Sequence, residues 1–438
     1  MSRRVSTLAA GLAVCAAVYL TGHQWVSAQQ RGANSANAVT RVAAVPSEKG
    51  GQDIFGAYEA VAGWPKKLST IPGHGPWTFG AGQSVFAESP DRVYVVQRGE
   101  LPDIPRPMTK KLSDLAPSIA FPIGRLPWRD ATTASPPGNG GSGALAEGGM
   151  EAWARTNKMG VDARWEHCVL VFDGQGNLLP ETANWMQWDA SLQRPHFIAI
   201  SPYDADKNVW LIDDHKHVIY KFTHDGKTKL LTIGTYGVPG ADDTHFNRPT
   251  YMDWLPDGSF VVSDGYNGTR VVKFDKNGKF LKAWGEKGSN QNDTRPGYFN
   301  NVHGIAVDPK TRRIFVNDRG NHRAQVFDED GKFLDSWRFG DPPSDVHMFN
   351  ITSDSFLWAA DRGTNRILKY DLNGNFMYSW GTWGDFPGGM WGVHGMSVDQ
   401  EGNFYVAEVD NGGAQKYKPR AGANPAFLVG KPVRAAWK

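Results

Sequence analysis

The chain has 438 residues, with 47 Lys and Arg against 45 Asp and Glu, a formal net charge of +2 at pH 7. So even a balance offers no electrostatic footprint for nucleic acid or an anionic membrane. Past the N-terminus nothing approaches the roughly 18 consecutive apolar residues that a membrane-crossing helix needs.

Arg3 and Arg4 precede an apolar stretch, LAAGLAVCAAVYL, and Val26-Ser27-Ala28 resembles a signal-peptidase site. Residues 1–28 therefore read as a signal peptide, and the protein as exported, periplasmic or secreted. Val14 stands where a lipobox before Cys15 needs a small residue. Cleavage removes Arg3 and Arg4, bringing the net charge to about zero and leaving Cys168 without a disulfide partner. In the run HCVLVFD, Cys168 reads as a small buried hydrophobe. Residues 29–52 read as a flexible leader and 53–438 as a single domain.

Within that domain YEAVAGW (58–64) reads as a lone outer strand, placed to pair with the last repeat and close a ring. VFAESPDRVYVVQRG (85–99) and HCVLVFDGQGNLL (167–179) make one repeat, split by an insertion near 101–165. The stretch 131–150 of that insertion is rich in Gly, Ser, Pro and Ala, the composition of a mobile surface loop. Five further repeats follow at 197–234, 251–285, 304–340, 347–381 and 393–429. Each shows an apolar run, a turn, a second run, a Gly/Asn turn and further runs, joined in the first four by a hairpin signal. Asp225-Gly226, Asn277-Gly278, Asp330-Gly331 and Asn373-Gly374 are those signals, because such turns need positive φ. Four short strands every 40–55 residues or so is the signature of a propeller blade. The expected fold is all-β, a six-bladed β-propeller. Trp284, Trp337 and Trp380 recur at an outer-strand position and read as packing between blades.

In a closed propeller, equivalent positions of different blades face one axis. His196 (RPHFIAIS), His303 (NVHGIAVD) and His394 (GVHGMSVD) all open a first strand. Arg98 (VVQRGE), Tyr266 (VSDGYNG) and Arg319 (VNDRGNH) all follow a second strand. Both kinds of position lie on the same rim. Three neutral imidazoles with an open fourth position suit a catalytic zinc ion. Two guanidiniums would hold a carboxylate, and a tyrosine beside a metal can act as a general base. A binding module has no need of the three histidines.

The stretch RPTYMDWLPDGSFVVSDGYNGTRVVKFDKNGKFLKAWGEKGSNQNDTRPGYFNNVHGIAV (248–307) resembles the catalytic core of peptidyl-α-hydroxyglycine α-amidating lyases, six-bladed propellers with NHL-type repeats. The resemblance runs over most of residues 77–410. It implies a zinc-dependent lyase that cleaves a carbinolamide into a peptide amide and glyoxylate, acting on a small peptide or related α-hydroxy carboxylate. His196, His303 and His394 match the zinc ligands, Tyr266 the base, and Arg98 and Arg319 the carboxylate-binding arginines.

The sequence also departs from that family. Its structural calcium is held by two backbone carbonyls, here Val85 and Ile198, and by an aspartate whose position is Gly395. Losing the only carboxylate ligand of a hard cation argues against calcium. The disulfides and the hydroxylating copper domain are missing as well. His347 falls at the phase of the three histidines, as a fourth ligand or as channel lining. Arg319 and Arg362 both sit in Asp-Arg-Gly turns, where an arginine can equally be structural. Two other functions fit the fold: a non-catalytic NHL-type propeller binding a peptide, glycan or protein on its channel face, and a calcium-dependent sugar-lactone hydrolase. The latter wants carboxylates and Asn at the mouth, where this chain has His, Arg and Tyr. A closed propeller needs no partner subunit, so a monomer is expected.

Overall fold

A computed structural model describes residues 52–103, 164–289, 293–340 and 343–437. The expected signal peptide, nearly all of the leader and the stretch 131–150 lie outside these residues, with most of the insertion.

Six antiparallel sheets of short strands follow one another along the chain. Blade 1 has three strands, Gly82–Ser89, Arg92–Gln97 and Val169–Phe172, the last two flanking the insertion. Blades 2 to 4 have four strands each, with first strands Pro195–Ile200, Met252–Trp254 and Val302–Val307. Blade 5 starts at Val346–Ile351 and gains an unforeseen strand, Gln52–Asp53, parallel to Phe376–Trp380. Blade 6 starts at Val393–Val398, and its outer strand is Tyr58–Ala60 from the N-terminal side, paired with Ala414–Pro419. That pairing closes the ring and covers an edge that would otherwise offer free N–H and C=O groups.

The first and second strands are almost wholly buried, as in Val302–Val307 and Ile314–Asp318. They read as continuous apolar runs because both faces are covered by neighbouring blades. The outer tryptophans stack blade on blade. Trp284 meets Phe327 of the next blade at 6.0 Å between centroids, Trp337 meets Tyr370 at 5.1 Å, and Trp380 meets Tyr417 at 5.4 Å.

One irregularity recurs where it matters. The pairing of first with second strand shifts register at 82/84, 195/197, 302/305, 346/348 and 393/395, bracketing Gln83, His196, His303, His347 and His394. A bulge re-aims the side chain it releases. In blade 3 the equivalent residue, Thr250, lies just ahead of the strand, joined to the ladder through Thr250 N to Ser263 O at 2.9 Å.

Candidate metal centre and its rim

Six residues, one from each blade, thus form one level of the channel: Gln83, His196, Thr250, His303, His347 and His394. The three predicted ligands come from blades 2, 4 and 6, and the blades between them supply backbone. His196 Nδ1 donates to Thr250 O at 2.9 Å, His303 Nδ1 to His347 O at 2.7 Å and His394 Nδ1 to Gln83 O at 2.7 Å. A carbonyl can only accept, so each Nδ1 carries the proton and each Nε2 keeps its lone pair. Outer-shell bonds of this kind fix the tautomer and orientation of metal-binding histidines.

The ligand nitrogens of His196, His303 and His394 lie within 4.8 Å of one another. Burial is the largest influence on all three. It lowers His196 to about 3, with Arg98 and Arg194 acting in the same direction, and holds His303 and His394 well below the usual histidine range. The imidazoles are therefore neutral, the form that binds metal. Three buried neutral nitrogens, each held by a carbonyl bonded to the other ring nitrogen, with an open side, fit a zinc ion.

Tyr266 closes the open side. It follows Gly265, whose backbone lies against blade 4 so closely that a Cβ would sit 1.4 Å from Val302 O. Only glycine permits that approach, and it brings the Tyr266 hydroxyl to 3.0 Å from His196 Nε2 and 3.1 Å from His303 Nε2. The guanidiniums of Arg248 and Arg194 lie over the same phenol ring, at 4.4 and 5.6 Å. Beneath the histidines Tyr251 forms the floor, its hydroxyl donating to His394 O at 2.9 Å.

The two predicted arginines differ. Arg98 is 0% exposed, and none of its three guanidinium nitrogens has a hydrogen-bond partner. Burial, then the charge of Arg194, lowers it to about 9. An unpaired buried cation is costly, so this position calls for an anion. Arg319 is already committed. It grips Asp345 with two bonds of 2.7 and 2.9 Å, which hold it above its usual value against the opposing effect of burial. Arg362, from the other Asp-Arg-Gly turn, likewise grips Asp410 at 2.8 Å.

His347 borders His303 and His394 at 4.9 Å between ring centroids but is outside the three-nitrogen set. Its Nε2 is 3.0 Å from Asp345 Oδ2, so it lines the channel beside the Arg319 pair. Sequence reasoning missed Arg194, Arg248 and Asp345. All three stand two residues before a ring position, a phase legible in RPH and RPT. It missed Asp214 too, the buried carboxylate that receives Arg248 Nη2 at 2.9 Å.

The calcium position does not fit that ion. A Cβ on Gly395 would meet Ser84 Cα at 2.8 Å, so no carboxylate can stand there without displacing blade 1. Val85 and Ile198 line a cavity at the other end of the channel, shared with the guanidinium-bearing Arg434.

Fold and rim together define a six-bladed propeller with a three-imidazole centre. The chain is similar to peptidylglycine alpha-amidating monooxygenase of Rattus norvegicus, at 39% identity over 171 residues, 38% of this chain and 16% of that protein. It is similar to peptidyl-alpha-hydroxyglycine alpha-amidating lyase 1 of Drosophila melanogaster at 32% over 139 residues, 30% of this chain and 25% of that one. NHL repeat-containing protein 3 of Mus musculus matches at 31% over 178 residues, 39% of this chain and 48% of that one. The matches thus span less than half the length of each of these relatives. No family model matches. A streptogramin B lyase structure aligns at 12% identity and a TM-score of 0.44, over 83% of this chain and 97% of that one. The chain is a six-bladed NHL-repeat propeller resembling the amidating lyases.

Proposed function

We propose that the protein is an exported zinc-dependent lyase that cleaves a peptidyl-α-hydroxyglycine, or a related α-hydroxy carboxylate, at its carbinolamide C–N bond. The observation behind this reading is the fully buried, unpartnered Arg98 on the rim that holds three neutral histidines and Tyr266. Such a rim has an anion site and a base within one mouth.

Zinc, held by His196, His303 and His394, supplies Lewis acidity toward a substrate oxygen. Arg98 takes the substrate carboxylate by charge-assisted bonds. Tyr266, having first lost its own phenol proton to solvent, accepts the proton of the α-hydroxyl as the phenolate and can then return it to the leaving nitrogen. The O–H electrons form the new C=O, the C–N bond breaks with its electrons on nitrogen, and a proton returns to that nitrogen to give the amide. Glyoxylate leaves with the carboxylate that Arg98 held. Arg319, braced on Asp345, positions the channel side of this pocket, and the ring works as a monomer.

Glyoxylate release from an α-hydroxyglycine peptide by the zinc-loaded protein tests the reading. Stoichiometric zinc without turnover on any such peptide would move it to a propeller that binds peptides without cleaving them.

A further inference from the structure

A second set of metal-binding side chains lies where the chain leaves blade 1 for the insertion and returns. His74 precedes the short strand Trp77–Phe79, Glu100 opens the strand Glu100–Pro102 that pairs with it, and Glu166 and His167 lead into Val169–Phe172. One ligand atom from each of the four lies within 4.8 Å of all the others. A tetrahedral ion with bonds of about 2.0–2.2 Å sets its ligands roughly 3.3–3.6 Å apart, so side-chain shifts of about an ångström would bring the cluster onto an ion.

The donor set and its burial are the stronger point. Glu100 is 0% exposed, with one carboxylate oxygen 2.9 Å from His74 Nδ1 and the other 2.6 Å from His167 Nδ1. Its nearest guanidinium, Arg164, stays 3.9 Å away and is held by Glu166 at 2.7 Å. The group brings two carboxylates and two imidazoles together with one guanidinium. A third carboxyl, Asp189, accepts from His167 N at 2.8 Å. Two imidazoles with two carboxylates, one of them fully buried, are donors that suit a divalent transition metal.

We propose that His74, Glu100, Glu166 and His167 form a second divalent-metal site, of the zinc class, separate from the three-histidine centre. It joins three chain segments already linked through backbone: Glu100 N to Arg164 O at 2.8 Å, Arg164 N to Glu100 O at 2.9 Å and Asp103 N to Pro76 O at 2.8 Å. The ion staples the stem of the insertion to blade 1. Arg98 lies two residues before Glu100, so the staple also steadies the start of the anion site.

The site stands independently of the lyase reading, and its test separates the two. The full chain, stripped and reloaded with zinc, is measured by mass spectrometry for bound metal. We expect two zinc ions per chain in the wild type, one in H303A, one in E100Q and none in the double variant. Chelator should lower the melting temperature of H303A and leave the double variant unmoved. Cobalt in H303A should show d–d absorption that E100Q removes from that background. If Glu100→Gln fails to fold, His74→Asn at the cluster's edge replaces it. Wild-type zinc that is unchanged in a folded E100Q or H74N overturns the site whatever the activity, whereas one zinc in the wild type that H303A keeps and E100Q loses would overturn only the three-histidine centre.

Discussion

Blades 2, 4 and 6 and blades 1, 3 and 5 present the same backbone at the same level of the channel but do different work. The first set places imidazoles, the second places carbonyls behind them. Alternation explains the geometry: each ligand histidine has a non-ligand blade next to it that turns a backbone carbonyl toward its Nδ1. The rim does not follow that alternation. Arg98, Tyr266 and Arg319 follow the second strands of blades 1, 3 and 4, while Asp214 and Asp410 follow those of blades 2 and 6. Only at the histidine level does the six-fold scaffold become three-fold.

The largest effect should come from a ligand blade. His303→Ala should abolish turnover and cost the centre its zinc while the circular-dichroism spectrum stays native; a variant that keeps the central ion would undo the contrast. Tyr266→Phe, on the rim of blade 3, should keep the metal and slow turnover by roughly 10²–10⁴-fold, the usual worth of a general base. An unchanged rate would leave Tyr266 a recognition residue. Arg98→Ala should weaken kcat/KM by roughly 10–100-fold, a loss of about 1.5–3 kcal/mol for a charged hydrogen bond. Added glyoxylate should inhibit the wild type more strongly than this variant. His347→Ala, at the ring level of blade 5, should retain metal and change kcat less than about threefold, since its backbone carbonyl survives the substitution.

The smallest effect concerns pH. Glu408 ends the second strand of blade 6, fully buried, accepting from Trp391 N at 2.7 Å, Gln415 Nε2 at 2.9 Å and Asn411 Nδ2 at 3.1 Å. Burial pushes its carboxyl up to about 7. The folded state therefore holds a proton that the unfolded chain releases near 4.3. This contribution is full below that value and lost as pH rises toward 7. Between pH 5 and 7.5 the melting temperature of the wild type should fall relative to Glu408→Gln. Parallel curves would mean that Glu408 is ionised throughout.

The histidines, Tyr266 and Arg98 were legible because a repeat converts sequence phase into position around an axis. The unequal standing of Arg98 and Arg319 was hinted at by the Asp-Arg-Gly turn at Arg319, which Arg98 lacks. Its cause was not: only the packed structure sets Asp345 against Arg319 and leaves the Arg98 guanidinium without a hydrogen-bond partner. Arg194 and Arg248 were visible as a phase but not as a pair of cations over Tyr266, which depends on the turn at Gly265.

By itself, the sequence determined an all-β propeller, its six blades, the closing strand at 58–60 and the phase of the ring residues, since strand period, turn chemistry and repeat length are local properties. Tertiary structure decided the bulges that aim the histidines, the tautomers set by neighbouring carbonyls, the floor at Tyr251 and the cluster around Glu100. Those depend on which distant backbones come within a few ångströms of each other. No local pattern encodes that distance, because it is set by how one blade packs on the next.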